Sequence, residues 1–292
     1  MKYLAIFLLS CVVAYASDIN SFLKNGIGIN SISMGQAFYN INDIECAYYN
    51  PALLSNCSNL QTKLVSSRTL DTVDELYASV LIPFSFMSFG IIYLNSSIGN
   101  GISGATYDQN SDTITNTGKS LNYASSLLLL CASKKINESV QLGLNFKSLT
   151  KTIASSSSSL YAIDLGMNFF LIPDCLNLSV KSNNLYSTAY EWTTEQEKPE
   201  NENIIGLGIH SGAVKLNLGY KAAPNSNQIY SGFEWNHYNT LFCRLGYDQT
   251  NFSTGITFRL DGLAFNYCFS HPLETNSILE NSHRFGLEYI FL

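Results

Sequence analysis

The groups with which this 292-residue chain could do chemistry are 4 His, 7 Cys, 22 Asp and Glu, and 16 Lys and Arg. Their spacing assembles no reaction centre. His210, His237, His271 and His283 stand apart, without the paired spacing that puts two imidazoles on one metal ion. Gly26-x-Gly28 and Gly206-x-Gly208 lack the third glycine and the strand-to-helix setting of a dinucleotide loop, and no Walker loop or G-x-S-x-G elbow occurs. No catalytic, cofactor-binding or metal-ligating residue is assigned, and the chain reads as a non-enzyme. A Ser–His pair on a barrel rim is the distant alternative, since serine is abundant, but nothing selects one. Cys11 lies in the leader, and the other six cysteines are scattered without C-x-x-C. Cys131, Cys243 and Cys268 read as small apolar filler in strands. Cys46 and Cys57 are the one pair considered for a bridge.

The charges that carry more information are Asp164, Lys215, Arg244, Arg259 and Glu288, which fall on the polar faces of alternating segments. The plain reading is that they line a lumen and pair with one another. The sharper reading is that they hold a plug or a polar substrate group, because charges taken out of water need partners. Tyr77, Tyr93, Tyr161, Tyr220, Tyr247, Tyr267 and Tyr289 read as a girdle at a lipid–water boundary, where a phenol buries its ring and wets its hydroxyl.

The elements that must position these groups are strands. Val140, Leu142, Leu144 and Phe146 oppose Gln141, Gly143, Asn145 and Lys147. Phe252, Thr254, Ile256 and Phe258 oppose Ser253, Gly255, Thr257 and Arg259, and Phe285, Leu287, Tyr289 and Phe291 oppose Arg284, Gly286, Glu288 and Ile290. A period of two gives each strand one apolar and one polar face. Fourteen such segments are predicted, near 62–68, 75–82, 86–95, 121–132, 138–149, 159–171, 175–182, 203–210, 213–221, 228–236, 240–247, 251–260, 262–270 and 282–291. Connections after even-numbered segments are short and carry Pro, Asn, Asp or Gly. Those after odd ones are longer, the largest over 96–120, 150–158, 183–202 and 271–281. The 183–202 loop is acidic and reads as a solvated surface loop, with a site for a cation or basic partner as the alternative. Tight turns on one side and long loops on the other describe an outer-membrane barrel, which predicts that Asn145→Arg is tolerated better than Leu144→Arg.

Composition agrees. Only 13% of residues are charged, against roughly 25% in an ordinary soluble domain, and mean hydropathy is close to zero. The net charge of −6 argues against nucleic acid as a partner. The first residues, MKYLAIFLLSCVVAYAS, have the charged start, apolar core and Ala14-Tyr15-Ala16 site of a secretory signal cleaved near Ala16. Leu8-Leu9-Ser10-Cys11 also resembles a lipoprotein box, the second reading of the leader. No run after the leader approaches the roughly 20 apolar residues of a membrane helix, so a membrane-spanning chain must close as a barrel. The domains are therefore a signal peptide at 1–16, an irregular segment at 17–60 and an all-β, closed antiparallel transmembrane barrel of about fourteen strands at 61–292.

The irregular segment carries a family resemblance. Gly26, Gly28, Met34, Gly35 and Ala37, then Asn42-Asp43, then Tyr48-Tyr49-Asn50-Pro51-Ala52, resemble the N-terminal region of FadL-type and PorV/PorQ-type outer-membrane barrels. Gln36 stands where the family has a second glycine, and Leu292 follows the Phe291 that would end a barrel-assembly signal. The resemblance implies a hatch folded into the barrel, formed by Gly26, Gly28, Met34, Gly35, Asp43, Asn50, Pro51 and Ala52. It also implies an outer-membrane location in a Gram-negative-type bacterium. FadL relatives pass hydrophobic compounds such as fatty acids. PorV relatives serve secretion, and the short chain leans to that side. Two functions stay open: passage of small hydrophobic molecules past a hatch, and a secretion-associated or surface barrel holding a partner protein on its loops. Outer-membrane lipid is a partner in both, and no cofactor is expected.

Overall fold

The computed structural model describes residues 23, 26–69, 73–108, 113–193, 195–224, 226–273 and 281–291, and the backbone alone for 99–108 and 113–121. The signal peptide and its cleavage site lie outside the described residues. Two short helices, α1 (Asn30–Ser33) and α2 (Cys46–Tyr49), and a 3-10 turn (Pro51–Asn56) precede the sheet. Then come β1 (Gln61–Thr69), β2 (Val73–Pro83), β3 (Ser88–Asp108), β4 (Thr113–Lys135), β5 (Val140–Ile153), β6 (Ser156–Ile172) and β7 (Leu176–Ser187). A small hairpin, β8 (Tyr190–Glu191) and β9 (Gln196–Glu197), interrupts the series. It continues with β10 (Glu202–Ser211), β11 (Val214–Ala222), β12 (Asn227–His237), β13 (Leu241–Tyr247), β14 (Asn251–Leu260), β15 (Leu263–Pro272) and β16 (Ser282–Ile290).

Fourteen of these strands, all but β8 and β9, form one closed barrel in which neighbours follow chain order. β1 closes against β16, placing Lys63 opposite Glu288. Closure leaves no sheet edge, so every strand pairs on both sides, as lipid requires. Parity then sorts the residues. Leu144, Phe146, Leu245, Ile256, Phe285 and Leu287 stand exposed on the outside, while Gln141, Asn145, Lys147, Arg284 and Glu288 are buried within. An apolar outer belt, with the charged and amide side chains of the strands turned inward, is unlike a soluble fold and fits a bilayer.

Sequence and structure part company at the loops. Most of the stretch 96–120 is strand rather than loop: β3 runs on to Asp108 and β4 starts at Thr113, and the two pair with each other beyond the ends of their neighbours. Likewise 150–158 is strand with a tight turn at Ala154, whose φ is 56°, and β7 runs through Ser187. Alternation of apolar residues marks only the stretch of a strand in lipid. Beyond it, backbone ladders and hydroxyl pairs such as Thr150–Ser159 at 2.9 Å and Thr152–Ser157 at 3.2 Å hold the strands together. The short turns fall where expected, with positive φ at Tyr238, Asn239, Asp261 and Gly262.

Two further expectations change. Tyr77 is no girdle residue: it is 2% exposed and faces inward, whereas Tyr93, Tyr161, Tyr220, Tyr247 and Tyr289 face out. Asn145 does face the lumen but is fully buried, donating to the carbonyl of Ala47 at 2.8 Å. An arginine there would collide with the segment inside the barrel, so inward parity does not bring tolerance.

Candidate functional site: the N-terminal segment and the inner wall

The segment from Gly26 to Asn59 fills the lumen. Its fold is organised by the Glu45 carboxylate, which accepts from the backbone N–H groups of Ile29 (3.0 Å), Asn30 (3.3 Å) and Ser31 (2.8 Å) and from the Ser31 hydroxyl (2.8 Å). Gly28, with φ of 87°, lets that carboxylate approach: a Cβ there would stand 2.3 Å from the Glu45 carboxyl carbon. Tyr49 ties back by donating its hydroxyl to Ile27 O and accepting Ile27 N–H, both at 3.0 Å. Asn50 works in two directions. Its Oδ1 accepts from Ala52 N at 3.0 Å, capping the 3-10 turn that Pro51 begins, and its Nδ2 donates to Met167 O of β6 at 2.9 Å.

The wall is shaped to receive this segment. Gly143 and Gly166 lie under the Asn50-Pro51-Ala52 turn: a Cβ at Gly143 would stand 2.3 Å from Ala52 N, and one at Gly166 2.2 Å from Asn50 Oδ1. On the opposite wall Gly246 meets Gly35, and Gly232 meets Met34, which is fully buried. Gly26, at φ of 76°, donates its N–H to Leu23 O at 3.1 Å.

Three ion-pair groups bind segment to wall. Lys63 of β1 meets Asp43 at 2.5 Å, Glu45 at 3.0 Å and Glu288 at 3.3 Å, and Arg259 reaches Glu288 at 3.4 Å. Asp164 of β6 holds Lys147 at 2.7 Å and Lys181 at 3.3 Å, and Lys181 also donates to Tyr48 O. Glu234 of β12 holds Arg244 at 2.7 Å and Lys215 at 3.5 Å, while Arg244 donates to Asn30 Oδ1 at 3.0 Å. The charges of these groups are paired, and buried Asp248 accepts hydrogen bonds from Gln36, Thr250 and Asn251, as the low dielectric demands. Burial raises the pKa of Asp43, and the Lys63 ammonium, with donors from Glu45 N–H and Asn30, outweighs it and leaves the carboxyl below its usual 3.8.

All five lumen charges read from the sequence face inward. Glu288 and Arg259 come together with Asp43, Arg244 and Lys215 meet on Glu234, and Asp164 stands in its own group. Lys63, Glu45, Lys147, Lys181 and Glu234 were not singled out. Strand parity marks Lys63, which alternates with outward Leu64. Glu45 lies in irregular chain, where no period exists to mark it. Cys46 and Cys57 are free buried thiols, so the bridge considered between them is not formed.

The inner wall is divided. On β1 to β6 the inward residues Val65, Leu81, Ile92, Leu127, Leu149 and Leu160 are apolar and join one cluster with Ile44 and Leu54 of the segment, between the polar Lys63, Asn145, Lys147 and Asp164 of the same strands. Tyr190, from the loop between β7 and β10, is fully buried in this cluster, with Trp192 packed against it. The acidic loop is therefore no freely solvated loop; it turns two aromatic rings inward over the apolar wall. On β7 and β10 to β16 the buried inward side chains are mostly amides, hydroxyls and the paired charges, with Ile204, Tyr230, Phe242, Ala264 and Cys268 among them. No group of metal-ligating side chains occurs among the described residues.

No family model matches the chain, and no curated protein matches it. Solved structures do. The CymD monoaromatic hydrocarbon channel superposes with a TM-score of 0.68 at 11% identity, covering 91% of this chain and 98% of its own. The Ralstonia pickettii toluene transporter TbuX gives 0.68 at 10%, covering 93% and 100%. A Pseudomonas aeruginosa FadL homologue gives 0.60 at 11%, covering 89% and 96%. At such identities the likeness is one of fold: the closed fourteen-stranded barrel is like that of these channels and of the FadL homologue.

Proposed function

We propose that this chain is an outer-membrane barrel that lets small, mainly hydrophobic molecules cross, with the Gly26–Asn59 segment as the hatch that controls the lumen. The observation that carries this reading is the apolar patch on the inner wall of β1 to β6, formed by Val65, Leu81, Ile92, Leu127, Leu149 and Leu160. A water-filled pore would not be lined by leucines, because each buried Leu side chain gains about 1.5–3 kcal/mol only by leaving water. Beside the hatch and beneath Tyr190 and Trp192, that wall offers apolar contact to a hydrocarbon or an alkyl chain. The fold shared with channels and transporters named for monoaromatic hydrocarbons and toluene supports the same cargo class. A fatty-acid-like cargo fits the same wall. The motif residues Gly26, Gly28, Met34, Gly35, Asp43, Asn50, Pro51 and Ala52 act in this reading by docking the hatch rather than by touching cargo.

The test uses Trp192 as reporter, in protein carrying Trp235→Phe. Naphthalene added to the detergent-solubilised barrel should change its emission saturably, and Leu160→Asn should weaken binding. A change that never saturates, or one indifferent to Leu160→Asn, overturns the reading. A second reading, a barrel that holds a partner protein at the surface, is favoured by the β3–β4 hairpin. Its strands of 21 and 23 residues project beyond their neighbours. Removing the tip of that hairpin should leave naphthalene binding intact if transport is the function.

A further inference from the structure

Two cavities flank the hatch away from the apolar wall, along β7, β10 and β11. One, of about 360 Å³, lies at the tight-turn end, where Asn40 and Asn42 of the hatch face Asn177, His210 and Lys215. The other, of about 40 Å³, lies toward the loops and is bounded by Tyr39, Lys181, Glu202, Lys221 and Tyr230. The same three strands serve both: Asn177 and Lys181 on β7, His210 and Glu202 on β10, Lys215 and Lys221 on β11. Asn177 and Lys181 are four residues apart on one strand, about 14 Å at roughly 3.4 Å per residue.

Tyr39 stands between the two. Its ring rests on glycines of the wall: a Cβ at Gly206 would be 2.4 Å from the ring Cγ, and one at Gly219 2.5 Å from Cε2. No larger residue could provide that floor. The Tyr39 backbone is pinned by two wall amides, donating N–H to Asn217 Oδ1 at 3.2 Å and accepting from Asn177 Nδ2 at 2.6 Å. Asn177 Oδ1 and Asn217 Nδ2, on side chains no more than 1% exposed, are left without protein partners beside the ring. Unpaired buried amide atoms call for water or a polar solute.

Charge along this line is positive although the chain as a whole is negative. The smaller cavity is lined by Lys181 and Lys221 with the single carboxylate Glu202. Below the ring Lys135 and Lys215 face Asp174, with Glu234 divided between Lys215 and Arg244. Two lysines against one carboxylate in each cavity lining favour an anion there.

We propose that the β7–β10–β11 wall carries a second, polar route for small organic anions, carboxylates of benzoate size, and that the Tyr39 ring is the barrier that closes it. The route rests on the reading of this chain as a transport barrel but not on the hydrophobic cargo. Flux of benzoate is measured in vesicles holding the full-length mature barrel, and flux of a hydrophobic fluorescent probe in the same preparations. Tyr39→Ala should raise benzoate flux about tenfold or more by widening the constriction, and Gly206→Ala, which pushes the ring from the wall side, should raise it too. Tyr39→Leu, which keeps bulk over the glycines, should stay near wild type. Benzylammonium, of the same size and opposite charge, should pass more slowly through every variant. Folded Tyr39→Ala or Gly206→Ala barrels with wild-type benzoate flux overturn the barrier, and equal rates for the two ions overturn the anion class. Hydrophobic flux without any response of benzoate removes this route alone. A benzoate response without hydrophobic flux keeps the route and removes the cargo proposed above.

Discussion

Lys63 is the residue on which the docked hatch turns. It is fully buried and shared by two carboxylates of the hatch and one of the wall. Lys63→Met would leave those carboxylates facing one another with only Arg259 on Glu288. Removing one partner of a buried ion pair costs about 3–5 kcal/mol, enough to undock the segment without unfolding the strands. Hydrogen exchange of hatch amides should rise in this variant while the strand amides stay protected. The same group sets a pH dependence. The Asp43 pKa is lower in the docked state than its free value of 3.8, so its stabilisation is complete above that value and is lost as pH falls through the lower docked pKa. Hatch protection should therefore be flat from neutral pH to about pH 5 and decline only in stronger acid. Release beginning near pH 6 would show that another group governs the latch.

At the scale of elements, the hatch and the wall are complementary. The Asn50-Pro51-Ala52 turn fits only because Gly143 and Gly166 carry no side chain. Gly166→Leu should expel the turn and break the Asn50–Met167 hydrogen bond, and protease should then reach the hatch in an otherwise folded barrel. Full protection in this variant would contradict the docking. The strands were legible in the sequence because lipid outside and polar groups inside impose a period of two, which Val140 to Lys147 display without exception. The ends of β3 and β4 were not, since beyond the bilayer Ser, Thr and Asn serve both faces equally well. Nor were the inward turn of Tyr190 and Trp192 or the part played by Glu45. These lie in irregular chain, where a residue's direction depends on contacts distant in sequence. Asn50-Pro51-Ala52 and the paired glycines were visible as a motif, but their partners on the wall were not.

For the whole molecule, the outer belt and the divided interior set what can be measured. Mature protein should fractionate with outer membranes, and unheated samples should migrate differently from boiled ones on a detergent gel. Leu144→Arg, on the lipid face, should cost about 2–4 kcal/mol near the bilayer midplane. Gln228→Arg, inward and clear of the hatch turn, should be close to neutral. Equal loss in the two would mean that the outer belt is not in lipid. The central claim is that the hatch governs passage of hydrophobic molecules. Its most direct test is the flux of a naphthylamine probe into vesicles with a lipopolysaccharide outer leaflet, comparing wild type with the Asn50→Ala, Pro51→Ala double variant. The account predicts faster flux with wild type than in protein-free vesicles, and a further clear rise when the turn is undocked. Identical flux through both folded proteins, or wild-type flux no greater than that of vesicles alone, would contradict it.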